Sequence, residues 1–479
     1  MVLGALGIAY GFFTAPKNTE EVEKILASEH GGHHAAKAEG HHEATKVESH
    51  HEEAKAEVKE ALTEVKDSAA IVANKLDSVA SEVEAAHHTA VAKTLEPAKH
   101  HEAVADEHKE HEEHVHHVLT QLQNKPWAAV YIAALFIFLI SLGVLTFYAI
   151  QNAAQAGWSP VLFRVMEAIT SYLVPGGIIV FVLLTLSGLG FNHLFIWMDK
   201  DVVAHDEIIK GKSGYLNVPF FLIRAALFLA GWIIYRMKTR KNSLELDETG
   251  NLDLYKSNFK WSAGYLAFFL VSESMMSWDW IMSVDPHWYS TLFGWYVFAS
   301  FFVSGITVIA LITLHLKSNG YLEHVNNSHF HDLAKFMFGI SVFWTYLWFS
   351  QFMLMWYSNI PEEVTYFKTR IADFNLPFFG MVAMNFLFPV LILINTDFKR
   401  VPWIITMAGI IILSGHYLDF HNMIYPATVG SQWFIGIPEI GSLCFFIGLF
   451  IFVVFSTLSK APLLAKGNPL IEESKHFHY

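Results

Sequence analysis

The 479-residue chain has a single cysteine, Cys444, and it lies inside an apolar run. That excludes a disulfide framework, an iron–sulfur cluster and a C-x-x-C-H haem attachment site built from this chain alone. Charge is scarce too: Asp, Glu, Lys and Arg make up 16% of the residues, against about 25% in soluble domains. It is also unevenly placed. Residues 17–125 hold 12 Lys and Arg against 23 Asp and Glu, so most of the formal net charge of −13 sits in that segment. Such an acid surplus argues against a nucleic-acid partner.

What is abundant is apolar. The chain is 53% hydrophobic and 15% aromatic, and a hydrocarbon core about 30 Å thick takes roughly 20 apolar residues per helix. Nine stretches meet that length, near Trp127–Ile150, Val161–Leu189, Val218–Tyr235, Trp261–Met282, Leu292–Leu316, Leu333–Tyr357, Leu376–Ile394, Trp403–Met423 and Ile440–Leu458. Met1–Phe13 is apolar but reaches only roughly 20 Å as a helix. It lacks the basic region and small-residue cleavage site of a removed leader, and is read as a further membrane helix whose first turns precede this chain start. The fold class is therefore all-α and polytopic, with about ten transmembrane helices. Residues 1–16 form the first helix, 17–125 an acidic His-rich helical insert, 126–459 a membrane domain of nine helices and 460–479 a tail. Fourteen Lys and Arg in the short loops on the side of the termini, Arg164 and Arg240 among them, against five opposite, which include Arg370, place both termini in the cytoplasm and the insert outside.

The insert has no proline between Pro16 and Pro97 and is rich in Ala, Glu, Lys, Val and His, which favours helix. Apolar spacing predicts a long helix across 43–95 and a second from Pro97 to Leu122, with 30–42 flexible. Sixteen of the 27 histidines lie in the insert, and His108, His111, His114 and His117 form an i, i+3 series. Imidazoles beside carboxylates can bind Zn²⁺ or Cu²⁺, but no closed four-ligand spacing stands out. A solvated His-rich helix face is the plainer reading.

A charge at the bilayer centre costs about 2.5–3.5 kcal/mol on insertion scales, so each one asks for a reason. Glu167 falls near the cytoplasmic end of its span and Arg224 in the next. Glu273 falls near mid-membrane and Asp279 closer to the outer face. On the ninth span His416 and Asp419, three residues apart, share a helix face at about the depth of Asp279. One reading is a proton relay from Glu167 through Glu273 to Asp279, His416 and Asp419, since carboxylates and imidazole can exchange protons near neutral pH. The other is a set of buried cross-links between helices, with Arg224 neutralising one acid. Asp285, His287 and His421 are secondary polar candidates. The aromatic run Trp344, Tyr346, Trp348, Trp356 and Tyr357 reads as interfacial anchors and core packing, or as the lining of a quinone pocket. The membrane histidines His193, His287, His315, His416 and His421 fall on different spans and levels, which provides no bis-His haem pair or haem–copper set.

The fifth-span sequence Ser277-Trp278-Asp279-Trp280-Ile281-Met282-Ser283, with Asp285-Pro286-His287-Trp288-Tyr289-Ser290-Thr291 and Phe293-Gly294-Trp295-Tyr296, resembles the polysulfide-reductase-type (NrfD-like) membrane subunits of alternative complex III, a bacterial quinol:cytochrome c oxidoreductase. The start Gly7-Ile8-Ala9-Tyr10-Gly11-Phe12-Phe13, Ala15-Pro16-Lys17, and Gly415-His416-Tyr417-Leu418-Asp419-Phe420 make it most similar to the second of the two such subunits. The resemblance covers the membrane body. It implies two four-helix bundles flanked by the first and last spans and no cofactor held by this chain. It also implies a sister NrfD-like subunit that is the main quinol (menaquinol) site, an iron–sulfur subunit on the outer side, a multihaem cytochrome c subunit, and small membrane and monohaem subunits. A terminal oxidase and lipid are further expected neighbours. For this chain it implies a scaffold and a proton path through Glu167, Glu273, Asp279, His416 and Asp419, with quinone binding less secure. The insert is longer than the resemblance leads one to expect.

Two other functions compete: a secondary transporter or metal-handling protein, which the His-rich segment favours but the lack of an internal repeat does not, and a purely structural membrane anchor.

Overall fold

The computed structural model describes residues 1–26, 98–431 and 434–478, with side chains of 98–114 outside the description. The expected helix over 43–95, the flexible 30–42 stretch and the side chains of His108, His111 and His114 lie outside the described residues. The chain divides into one unit of Met1–Ala15 with Thr120–Tyr479 and another of Pro16–Leu119. In the smaller unit, residues from 19 begin a helical turn. Asn18 Oδ1 accepts from Glu21 N and Glu21 Oε2 accepts from Lys17 N, a reciprocal arrangement that closes a helix start.

The protein is an all-α, multi-pass membrane protein. Among the described residues there is no strand, and eight helices are long and apolar enough to cross a bilayer. In chain order they and their companions are α1 (Val2–Thr14), α2 (Ala98–Ala153), α3 (Pro160–Gly188), the short α4 (Lys200–His205) and α5 (Glu207–Lys212), α6 (Val218–Thr249), α7 (Leu252–Trp280), α8 (Phe293–Ser318), α9 (Asn327–Ser358), α10 (Pro361–Ala372), α11 (Asn375–Leu393), α12 (Pro402–Thr428), α13 (Ile437–Leu458) and α14 (Ile471–Lys475). Two of the expected ten spans fall outside the eight. One is α1, with 13 residues. The other is α7, 29 residues long, whose polar run from Ser272 to Asp279 lowers its mean hydropathy.

Two sequence expectations are corrected. A separate helix ending at Leu122 does not exist, because α2 runs unbroken through 56 residues with Pro126 inside it. The one nearby residue suited to ending a helix, Asn124, spends its amide on the backbone of His193 instead, 3.1 and 3.0 Å away. The basic stretch read as a loop between the fourth and fifth spans is helical: α6 continues to Thr249 and turns into α7 at Gly250, whose φ of 66° suits glycine.

α2 is the central element. Of its apolar window 94% is buried, against 28% for α13. Helices α3, α6 and α7 form one group and α8, α9, α11 and α12 a second, with α7 touching α8; α2 meets both, Phe138 against Trp232 of α6 and Phe136 against Phe420 of α12. Lipid tails are as apolar as leucine, so helix association here depends on close packing and internal hydrogen bonds. The α2–α8 crossing shows the first device. A Cβ on Gly143 would lie 2.7 Å from the Phe301 carbonyl oxygen, and one on Gly305 2.9 Å from Val144 N. At the periphery α1 packs on α13 through Gly4 and Gly7 against Gly441, where a Cβ on Gly4 would lie 2.7 Å from the Gly441 oxygen. The tail is fastened by Ser474, which donates to Trp158 O and accepts from Val161 N, while Asn326 donates to Phe477 O.

Candidate functional site

Proline placement shapes the site. Pro389 has no N–H to give the carbonyl of Asn385 four residues earlier, and the chain ahead of it is wound as a π turn, Ala383–Leu387. Such turns recur at functional positions. This one turns Asn385 toward α12, where Gly415 leaves room: a Cβ there would lie 2.1 Å from Asn385 Oδ1. In α12 itself Pro426 frees the carbonyl of Asn422, and Arg370 of α10 replaces the lost donor. Its Nε donates to Asn422 O at 2.9 Å, Nη2 to Met423 O at 3.3 Å and Nη1 to Tyr366 O at 2.7 Å.

Between these two irregularities lie His416 and Asp419, both fully buried. Asp419 accepts from Tyr296 Oη, from Ser300 Oγ at 2.9 Å and from Trp344 Nε1 at 2.8 Å. His416 Nδ1 is 2.9 Å from Ser300 Oγ, 3.3 Å from Asn385 Nδ2 and 3.6 Å from Asp419 Oδ2. No Lys or Arg lies within ion-pair distance of Asp419 among the described residues. Ser300 has one proton and two neighbours that can take it. When it donates to Asp419, its oxygen accepts from His416 Nδ1–H; when it donates to His416, it accepts from a protonated Asp419.

The other predicted acids lie apart from this pair. Asp279 is fully buried and held by Arg224 in a two-pronged ion pair, Nε–Oδ2 2.6 Å and Nη2–Oδ1 3.0 Å. The third guanidinium nitrogen donates to Tyr215 O, and the Tyr215 and Phe220 rings flank the cation at 3.9 and 4.2 Å. Glu167 is bound by Arg164 at 2.6 Å, by Arg240, and by Tyr148 Oη at 3.1 Å, and Arg164 also binds Asp247. This is a balanced cluster of two acids and two arginines. Arg164 and Arg240, read from sequence as loop cations, are part of the interior. Glu273 differs from both: its carboxylate accepts only from Ser277 Oγ at 3.0 Å and Ser274 Oγ at 3.4 Å. Between Glu167 and Glu273 run hydroxyl pairs, Tyr235–Ser262 at 2.8 Å and Thr146–Tyr265 at 3.0 Å. No described hydrogen bond joins Asp279 to His416 or Asp419, so the expected three-residue group is divided between the two helix groups.

Of the secondary candidates, His287 is on the surface and bonds Asp206 at 2.6 Å. That bond and the Ile208 and Ile209 amides hold the Asp206 carboxyl below its ordinary range. Asp285 lies half-buried in the same loop. His421 is buried against the Tyr425 ring at 3.8 Å. Sequence reasoning passed over Tyr296, Ser300, Asn385, Arg370 and Glu439. Glu439 is buried, accepts from Tyr425 Oη and Gly436 N, and so closes the start of α13. The aromatic run divides: Trp344 is fully buried and bonds Asp419, while Tyr346, Trp356 and Tyr357 are exposed. Among the described residues no His, Cys, Asp and Glu group is arranged to hold a metal.

A cavity of about 860 Å³ is an apolar groove along Phe136, Val308, Tyr417, Ile440 and Phe455, with His315, Ser414 and Tyr417 as its polar lining side chains. At 100° per residue, Ser414 and Tyr417 face away from the side of α12 that carries His416 and Asp419. No family model matches this chain, and no curated protein matches it significantly.

Proposed function

We propose that the chain is the second NrfD-like (ActF-type) membrane subunit of a quinol:cytochrome c oxidoreductase of the alternative complex III kind. It would lie in the bacterial cytoplasmic membrane with both termini on the cytoplasmic side. In this reading it is non-catalytic, holds no redox cofactor, and combines a scaffold with a proton path. Menaquinol is oxidised at the sister subunit, and electrons leave through iron–sulfur clusters and c haems in partner subunits. The apolar groove has the character an isoprenoid tail needs, but among the described residues no carboxylate lines it, which supports assigning the oxidation elsewhere.

The observation that carries the proton path is the pair His416 and Asp419, buried together and bridged by one hydroxyl without a fixed cation. A proton arriving on Asp419 passes to Ser300 as the Ser300 proton passes to His416 Nδ1, leaving Asp419 ionised and His416 protonated. Tyr296 and Trp344 hold Asp419 in place throughout, so the transfer needs no large rearrangement. A path of this kind uses buried groups that can be charged and discharged. The paired Glu167 and Asp279 favour a second role beside it, since fixed ion pairs between helices act as fasteners.

Two measurements test the proposal. Extracted gently, the chain should co-purify with haem- and iron–sulfur-bearing companions; a chain that purifies alone favours a transporter. In the assembled complex, Asp419→Asn and Glu273→Gln should lower the protons released per electron. Unchanged stoichiometry with intact assembly would leave only the anchor.

A further inference from the structure

Next to the Asp419 network lies a second, much smaller cavity of about 10 Å³, bounded by Tyr296, Trp348, Gln351, Tyr366, Arg370 and Asn422 among others. Three of its lining residues carry a buried polar atom without a hydrogen-bond partner: Trp348 Nε1, Gln351 Nε2 and Asn422 Oδ1. Gln351 and Asn422 are 3% and 2% exposed, so bulk solvent does not satisfy them. Leaving one buried donor or acceptor unpaired costs about 1–3 kcal/mol, and three around one void is far from the ordinary state of a protein interior. Turning the Asn422 amide end for end does not remove the problem, because it replaces the acceptor by a donor and the indole N–H still needs an acceptor.

We propose that this cavity is a binding site for one water molecule, held by Trp348, Gln351 and Asn422. The size agrees, since a single water needs about 10–15 Å³ of such space and typically makes about three hydrogen bonds. The chemistry excludes the alternatives. Two of the three groups donate and the Arg370 guanidinium stands in the wall, which repels a metal cation. An anion would gain the donors but faces Asn422 Oδ1, and chloride is larger than a water molecule. A water accepts from Trp348 and Gln351 and donates to Asn422.

Its position gives it a role that rests on the proton path proposed above. Tyr296, which donates to Asp419, forms one wall, and Arg370 stacked at 3.3 Å on the Tyr366 ring forms another. The water joins the Asp419 network to the Arg370–Tyr366 layer under α10, at the end of α12 where Pro426 has opened the backbone. Its second hydrogen is available to Tyr296 Oη, so a proton reaching the water passes to Tyr296 as the Tyr296 proton passes to Asp419.

The site and its role are tested separately. Maps of the native assembly at a resolution that shows ordered water should contain a peak within hydrogen-bond distance of Trp348 Nε1, Gln351 and Asn422. It should vanish in Gln351→Met, whose side chain fills the space, and weaken in Trp348→Phe. A void closed by Gln351 turning onto Trp348, or a peak with the coordination of an ion, overturns the site. For the role, Gln351→Met should slow proton release about tenfold, equal to about 1.4 kcal/mol in the barrier, with electron transfer into the assembly unchanged. A lost peak with an unchanged rate overturns the link while leaving the water. If Asp419→Asn itself leaves proton release untouched, the path is wrong, and the density still decides the water.

Discussion

Arg370 supplies the hydrogen bond that Pro426 removes. The two residues are 56 positions apart, on α10 and α12, and they meet at the carbonyl of Asn422, which Pro426 cannot reach for want of an N–H and which Arg370 Nε reaches at 2.9 Å. Arg370 is 4% exposed and uses all three of its nitrogens on backbone oxygens. Arg370→Met should therefore cost about 1–3 kcal/mol, the penalty of leaving the buried Asn422 carbonyl unpaired. Pro426→Ala restores the internal donor and should recover part of that loss. Thermal unfolding of the single and double variants in detergent checks this, and strictly additive effects would rule out the coupling.

Ser300 is the exchange point of the candidate relay, and its role can be separated from that of the charged groups. Ser300→Ala removes the bridge between His416 Nδ1 and Asp419 Oδ2 but leaves Tyr296 and Trp344 on Asp419. Proton release should slow by about 10²-fold, the low end of what a positioned proton-transfer group contributes. Ser300→Thr keeps the hydroxyl and should recover most of it. Equal rates in both variants would mean that the proton travels elsewhere.

Some of this was legible in the sequence. Some helix limits could be read closely, where an apolar run ends at polar residues, as Leu292–Leu316 against Phe293–Ser318; others could not, as Val218–Tyr235, whose helix continues through polar residues to Thr249. The His416–Asp419 pairing followed from helical spacing. The grouping of Asp279 with them did not hold, since depth along a helix says nothing of which neighbour it faces, and Asp279 turns to Arg224. Arg370 looked like a loop cation because its partners are backbone carbonyls exposed by a proline 56 residues later. Ser300 and Tyr296 are ordinary residue types in an apolar helix, and only the fold brings them to Asp419. α7 falls below the hydropathy of a span for a related reason: Asp279 is compensated by Arg224 of α6, and a window along one helix cannot see a neutralising partner on the next.

A local pH dependence is expected at the surface pair Asp206–His287. Asp206 Oδ1 accepts from Ile208 N and Ile209 N at the start of α5, and Oδ2 bonds His287 Nε2. These bonds lower its pKa in the folded state. The contribution is therefore fully present above the unfolded aspartate value of about 3.9 and is lost as pH falls through the lower folded value. Hydrogen exchange of the α5 amides should rise across that acid range, once the intrinsic pH dependence of exchange is divided out. Asp206→Asn keeps the capping oxygen but not the titration, so its exchange profile should be flat there. A wild-type profile equally flat would show that the bonds do not form in solution.

The pair Arg224–Asp279 separates a fastener from a proton carrier. Every nitrogen of Arg224 is engaged, and both oxygens of Asp279 are taken by it. Removing one partner of a buried pair strands the other charge and costs about 3–5 kcal/mol, whereas replacing both with apolar groups of similar size is often neutral. Asp279→Asn and Arg224→Met alone should each lower the unfolding temperature sharply, and the double variant Arg224→Met with Asp279→Leu should recover most of it. If Asp279 only fastens α7 to α6, the recovered double variant will also release protons at the normal rate. A stable double variant that has lost proton release would instead place Asp279 on the path, and α6 with α7 would then carry protons as well as hold the helices together.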